Sequence, residues 1–352
     1  MLSPLAGARF VLTPMPAAHF GAGAIGELSG LVRGTGSSAA VIVTDPALAG
    51  SPVVARVRDV LAADGVTAAV FAGVRPNPST DDMAAGADAV AGLAAEAGRA
   101  AEAGVAGKPG RAGEPGWVAE AGVAGKPERA GAPCRVAEAD RVAEADRVAV
   151  VAVGGGSAID AAKGVALAAV NPQRGRGLDY RRDFARPALP IVAVPTTAGT
   201  GAETNAFAVV TDPATRRKFY VGHASSRPAA AILDPDLTAG LPPRATAATG
   251  MDALIHALES CMSSRANPWS DGIALQVIRM IAAYLPPATA SGAPTAALGH
   301  LPRHRAPAAA SGAPAAASRA PPAASRARTG RPGHPRGVPG THRASRRTPA
   351  AA

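Results

Sequence analysis

Cysteine, aromatic residues and late acidic residues are all scarce in this chain. Of its 352 residues only Cys134 and Cys261 are cysteines, and they lie far apart. They can build neither a disulfide framework nor a Cys-rich zinc site, which points to a reducing, cytoplasmic setting. Aromatics make up 3% of the chain, and no Asp or Glu follows Asp271. A long uninterrupted apolar run is also lacking. The most apolar stretch, 148–170, is broken by Asp160, Lys163 and several glycines, and the first 20 residues carry Pro4, Pro14 and Pro16. Neither a secretion signal nor a membrane span is therefore expected.

What is abundant is glycine, at 40 residues, and proline, at 33. Such a share warns of non-globular segments within an otherwise globular chain. The net charge of +10 is confined to one end: eleven of the 36 Lys and Arg follow Asp271, leaving 25 against 26 Asp and Glu before it. The body is neutral. The Arg-rich end has no aromatics to read bases, so it offers only salt-sensitive, nonspecific affinity and no specific nucleic-acid partner is expected.

Two segments cannot bury a core. Residues 102–119 recur with few changes as 120–137, and Glu-Ala-Asp-Arg-Val-Ala then appears at Glu138 and again at Glu144. These units hold one or two valines each among Gly and Pro, which suits a disordered surface insertion over 102–147 rather than a stacked solenoid. Beyond 288 the chain turns to Ala, Pro, Arg, Ser and Gly, and a disordered tail over 289–352 is expected. GC-rich codons read out of register yield that composition, so a frame change is one source for it.

Between these segments strands and helices alternate. Residues 39–44 form a short apolar run closed by Asp45, 53–63 are helix-like, 66–71 form a second strand, and 83–97 have a helical composition with Ser79 or Thr80 as N-cap and Asp81 and Asp82 in the first turn. Buried-type strands follow at 148–153, 189–194 and 229–233. This is the pattern of a doubly wound parallel sheet. From about 245 the apolar spacing of Leu254, Ile255, Leu258, Ile273, Val277 and Ile281 turns helical, and a helical subdomain begins. With so little sequence after it, its apolar faces are expected to be exposed.

Four places can carry chemistry. Gly154-Gly155-Gly156-Ser157 joins a buried strand to a helix, where backbone N–H groups can meet a pyrophosphate, although a tight turn with no ligand reads the same way. The loop Pro195-Thr196-Thr197-Ala198-Gly199-Thr200 also follows a buried strand, and its hydroxyls suit phosphate, ribose or nicotinamide. Asp45 closes a strand where a carboxylate can accept from a ribose hydroxyl or simply cap a helix. Asp252 and His256, four apart on a helix, share a face and form either a hydrogen-bonded pair or half of a metal site.

Four ordered segments closely resemble the iron-containing (group III) alcohol dehydrogenases, with their dehydroquinate synthase-like fold. They are Gly154-Gly-Gly-Ser-Ala-Ile-Asp-Ala-Ala-Lys163, Pro195-Thr-Thr-Ala-Gly-Thr-Gly-Ala-Glu203, Ile232-Leu-Asp-Pro-Asp-Leu-Thr238 and Thr249-Gly-Met-Asp-Ala-Leu-Ile-His-Ala-Leu-Glu259. The resemblance covers roughly 8–100 and 148–288. It implies an α/β Rossmann-like domain over 1–235 holding NAD, with NADP as an alternative, then an incomplete all-helical metal-binding domain over 236–288. It implies reversible hydride transfer between a small alcohol or aldehyde and the nicotinamide, in a homo-oligomer, with iron or zinc as Lewis acid. Carried over, Gly154, Gly155, Gly156 and Ser157 hold the pyrophosphate, Asp45 the adenosine ribose, Asn77, Thr196, Thr197 and Thr200 the rest of the cofactor, and Lys218 its phosphate or ribose side. Asp252 and His256 match the first two metal ligands.

The chain departs from the family where the other two ligands belong. The Gly-x-x-His-x-x-x-His and Pro-His-Gly segments are absent, and His300, His304, His334 and His342 lie among Pro and Ala. An alternative is therefore a catalytically silent dinucleotide-binding remnant, produced by truncation or frame change.

Overall fold

In the computed structural model the described residues are 15–102, 145, 147–173 and 175–290. The repeat insertion and the Arg-rich tail fall almost wholly outside them. The central strands of the sheet, Ala39–Val43, Val148–Gly154 and Ile191–Pro195, are apolar without a break. β1 is Ala17–Phe20, β2 Ala39–Val43, β3 Thr67–Phe71, β4 Val148–Gly154 and β5 Ile191–Pro195. β6 Phe207–Asp212 and β7 Arg217–Gly222 form an antiparallel hairpin, and β8 is Ala230–Leu233. Every residue of β2, β4 and β5 is buried, as expected for parallel strands covered on both faces. The six-stranded parallel sheet has the order β1-β8-β5-β4-β2-β3.

Helices cover both faces: α1 Leu28–Gly34, α2 Pro46–Ala49, α3 Pro52–Ala63, α4 Thr80–Glu102 and α5 Gly156–Ala168. The two-residue side-chain period sends Val41, Val43, Val148 and Val150 to one core, with Val90 of α4 and Ile159 and Val165 of α5. Ala40, Ile42, Val151 and Val153 face the other, against Leu28 of α1 and Val57 and Leu61 of α3. Each such fully buried Val, Ile or Leu side chain contributes about 1.5–3 kcal/mol. The N-terminus of α4 is a capping box. Ser79 Oγ accepts from the Asp82 N–H at 3.3 Å, Asp82 Oδ2 accepts from the Ser79 N–H at 2.8 Å, and Arg75 holds the other carboxylate oxygen. Of the two expected caps, Ser79 is the one used.

The order of the strands fixes where a ligand can sit. From β2 the chain steps outward to β3, whereas from β4 it steps the opposite way to β5, so the winding reverses between the adjacent β2 and β4. A crevice opens at such a switch point beyond the carboxyl ends of the strands.

After β8 come two helices, α6 Pro243–Met262 and α7 Pro268–Ala290, packed against each other. α6 starts earlier than the apolar spacing suggests, because Pro243 is well placed at a first helical position. Gly250 lets α7 come close: a Cβ there would lie 2.3 Å from Leu285 Cδ1. As expected, the outer faces are bare, with Ile255, Leu258, Met262, Trp269, Ile273 and Leu275 all exposed. Among the described helices, α7 is long and apolar enough to cross a membrane by length and composition, which the sequence alone did not suggest. The stretch passes because Asp271 and Arg279 are its only charged residues. An apolar surface of this kind drives association. Light scattering of purified chain is expected to show mass rising with concentration, and a mass constant at one chain would count against that.

Candidate functional site

Of the expected cofactor residues, Asp45, the glycine turn and the threonine loop gather at the switch point, whereas Asn77 and Lys218 are joined to each other. β4 ends in Gly154, at φ +145°, where a Cβ would stand 2.7 Å from Ala158 Cβ. Gly155 precedes α5, and no side chain caps that helix N-terminus, so its first N–H groups are offered to a ligand. A Cβ on Gly156 would lie 2.8 Å from Thr200 Cγ2, and one on Gly155 3.3 Å from Thr197 Oγ1. The threonine loop after β5 thus lies directly against the glycine turn, and the Thr196 N–H donates to the Gly154 carbonyl at 3.0 Å. Ser157 sits in the first turn of α5.

Asp45, after β2, takes the capping role, one of the two the sequence allows. Its Oδ1 accepts from the Ala47 and Leu48 N–H groups at 2.9 and 3.0 Å, capping α2. Its Oδ2 lies 3.8 Å from the position a Gly154 Cβ would take, so the carboxylate borders the glycine turn. Asn77 and Lys218 meet each other: Lys218 Nζ on β7 donates to Asn77 Oδ1 at 2.8 Å. Asn77 has φ 58°, a conformation Asn tolerates better than most residues.

α6 reaches the same place from the other side. A Cβ on Gly199 would lie 2.3 Å from the Thr249 carbonyl oxygen. His256 Nδ1 lies 3.3 Å from the Gly199 carbonyl and 3.9 Å from Asp252 Oδ2. A carbonyl only accepts, so this bond needs the proton on Nδ1. That leaves one imidazole nitrogen and one carboxylate for a metal. Among the described residues no group of three or more His, Cys, Asp and Glu side chains is placed to hold one. Two donors do not fit a catalytic metal, which needs at least three and an open position. His300, His304, His334 and His342 lie outside the described residues.

Absent from the sequence-predicted set is a buried ion pair on α5. Lys163 is 0% exposed, and its Nζ donates to Asn205 Oδ1 and to the Phe207 carbonyl, both at 2.8 Å. Asp160 Oδ1 is 3.5 Å from that Nζ, and Asp160 Oδ2 accepts from the Val209 N–H at 3.0 Å. A signal was present, for these are the only charges on an otherwise buried apolar helix. Burial pushes the Lys163 ammonium down to about 8, against the pull of Asp160, and raises the Asp160 carboxyl despite Lys163. An unfolded lysine keeps its proton to 10.5. Between those values the unfolded chain binds more protons than the folded one, so stability rises with pH by about 1.4 kcal/mol per unit. In urea unfolding, wild type is expected to gain about 2 kcal/mol from pH 8 to 9.5 relative to Lys163→Met. Parallel curves for the two would count against a lowered lysine pKa.

Comparison with known proteins adds independent findings. Residues 16–97 and 130–235 match the model of the iron-containing alcohol dehydrogenases, and 246–301 match that of the Fe-containing alcohol dehydrogenase family, C-terminal. The match includes 130–147 and 289–301, which the motifs alone leave outside. The chain is 48% identical over 143 residues to the probable alcohol dehydrogenase EutG of Salmonella typhimurium, covering 41% of this chain and 36% of that protein. It is 32% identical over 279 residues to the NAD-dependent methanol dehydrogenase of Bacillus methanolicus, covering 79% and 59%. Among solved structures it is similar to 1,3-propanediol oxidoreductase, with 30% identity, TM-score 0.62 and coverage of 82% and 62%. It is also similar to sulfoacetaldehyde reductase from Bifidobacterium kashiwanohense in complex with NAD+, with 26% identity, TM-score 0.63 and coverage of 83% and 63%. The chain thus spans between about a third and three-fifths of these two curated relatives.

Proposed function

The chain belongs to the iron-containing alcohol dehydrogenase family, and from that premise we propose that it binds NAD(H) at the glycine turn and serves reversible hydride transfer between a small alcohol or aldehyde and the nicotinamide. One observation carries the reading: an uncapped helix N-terminus behind Gly154, Gly155 and Gly156, placed at the switch point of a doubly wound sheet beside Asp45. The relatives support it, since one is named NAD-dependent and another was solved with NAD+.

In this reading 1–235 is the dinucleotide domain, interrupted by the 102–147 insertion, and 236–288 begins the helical one. The N–H groups of Gly156 and Ser157 take the pyrophosphate, and Gly155 keeps the approach clear of side chain. Asp45 Oδ2 accepts from the adenosine ribose, which favours NAD over NADP because a 2′-phosphate would meet a carboxylate. Thr196, Thr197 and Thr200 offer hydroxyls toward the nicotinamide side, and the Lys218–Asn77 pair closes the far wall. A bound dinucleotide would supply the hydride acceptor, with the alcohol's hydroxyl proton passing to water as the aldehyde forms. The setting is a reducing cytoplasm, and the exposed faces of α6 and α7 suit a homo-oligomer.

A second reading, favoured by the two-donor pair Asp252 and His256, is a chain that binds the dinucleotide without turning over alcohol. Assay of purified chain with NAD and a panel of short alcohols, with and without added Fe²⁺ or Zn²⁺, separates the two. Metal-dependent turnover supports the dehydrogenase, NADH binding with no turnover supports the silent chain, and absence of NADH binding overturns both.

A further inference from the structure

Among the described residues no strand lies along the outer edge of β6, where only a single bridge joins Ser79 and Thr211. That edge presents the Phe207 carbonyl, the Val209 N–H and the Thr211 N–H, each of which needs a partner. Lys163 donates to the first, Asp160 accepts from the second, and the Pro78 carbonyl accepts from the third at 2.8 Å. Asp160 and Lys163 lie three residues apart on α5, so they meet the strand edge as an acceptor and a donor in succession. Lys163 also grips Asn205, where the chain leaves the threonine loop and enters β6. At the other end of the hairpin, Lys218 reaches the Asn77 side chain next to Pro78.

We propose that Asp160 and Lys163 are positioning residues for the dinucleotide: standing in for an absent strand along β6, they fix where the hairpin sits relative to the glycine turn at the head of α5, and so where Lys218 and the end of the threonine loop meet the cofactor. The proposal rests on the dinucleotide reading above. It accounts for a lysine and a carboxylate kept in an apolar helix where two apolar residues would pack as well. Burying the pair carries a desolvation penalty that such a replacement avoids.

The test is NADH affinity by fluorescence titration of full-length chain, with amide exchange of residues 205–222 measured on the same samples. Lys163→Met is expected to weaken NADH binding about tenfold and to speed exchange in the hairpin. Asp160→Asn, which keeps the shape and an acceptor, is expected to weaken it about threefold. Two further variants separate positioning from general stability. Leu61→Ala, in the core on the other face of the sheet, loses stability but is expected to hold NADH affinity within about twofold. In a Lys218→Met background, Lys163→Met is expected to cost clearly less than tenfold, because part of its effect runs through Lys218. If Lys163→Met binds NADH as wild type does, or if its effect multiplies fully with that of Lys218→Met, the proposal is overturned while the dinucleotide reading stands. If Lys163→Met does not fold, Asp160→Asn decides: wild-type affinity and wild-type exchange in the hairpin overturn the proposal. Wild type without NADH binding overturns the dinucleotide reading and this proposal with it.

Discussion

Gly156→Val is expected to abolish most NADH binding, by about a hundredfold or 2.7 kcal/mol, while leaving the fold intact. A Cβ at this position would stand 2.8 Å from Thr200 Cγ2 and 3.0 Å from Thr200 Oγ1. The added side chain therefore pushes into the crevice shared by the glycine turn and the threonine loop. Gly156 is the first residue of α5, and its φ lies outside the left-handed region, so a side chain strains no backbone there, although Thr200 must shift to admit it. Displacing Thr200 should cost about 1–3 kcal/mol, partly offset because a helix gains from losing a glycine. A loss of affinity near a hundredfold in a chain that still unfolds cooperatively is the signature to look for. Gly156→Ala, with one methyl, should give a smaller loss of about tenfold. Equal NADH affinity in wild type and Gly156→Val would mean that the cofactor does not approach this turn.

Gly199→Ala is expected to act on structure instead. The new Cβ would lie 2.3 Å from the Thr249 carbonyl oxygen and 3.0 Å from the Thr249 carbonyl carbon. Both are backbone atoms of a helix and cannot rotate away. Either the threonine loop or α6 must move, and with it the His256–Gly199 hydrogen bond is lost. Overpacking of this kind costs about 1–3 kcal/mol. It should appear in urea unfolding as a lower midpoint and in amide exchange as faster exchange over α6 and α7, with the parallel sheet unchanged. A midpoint within error of wild type would mean that α6 does not dock on this loop.

Much of the fold could be read from composition and spacing. Residues 39–43 and 148–154 carry no polar side chain, and such runs are what a sheet covered on both faces requires. Ser79 and Asp82 mark the start of α4 because capping chemistry is local. The glycine turn and threonine loop were legible for the same reason: each follows directly from a buried strand. The hairpin was missed, since Phe207 to Val210 is apolar at every position and shows no alternation to betray one exposed face. Its placement depends on Asp160 and Lys163, more than forty residues away in sequence. No local pattern encodes such a contact. The charges on α5 were visible, but their partners are backbone groups of β6 that any sequence would supply. The pairing of Asn77 with Lys218 was hidden likewise, for it joins residues 141 apart. Asp252 and His256 were correctly seen as neighbours on one face, yet spacing could not tell that Nδ1 of His256 would turn to the Gly199 carbonyl.

The central claim is that the glycine turn behind β4 is a working dinucleotide site. It is tested most directly by titrating NADH into purified full-length chain beside Gly156→Val and following nicotinamide fluorescence. Saturable binding at one NADH per chain is expected in wild type, weakened about a hundredfold in the variant. No saturable binding by wild type, or the same curve for both, would contradict it.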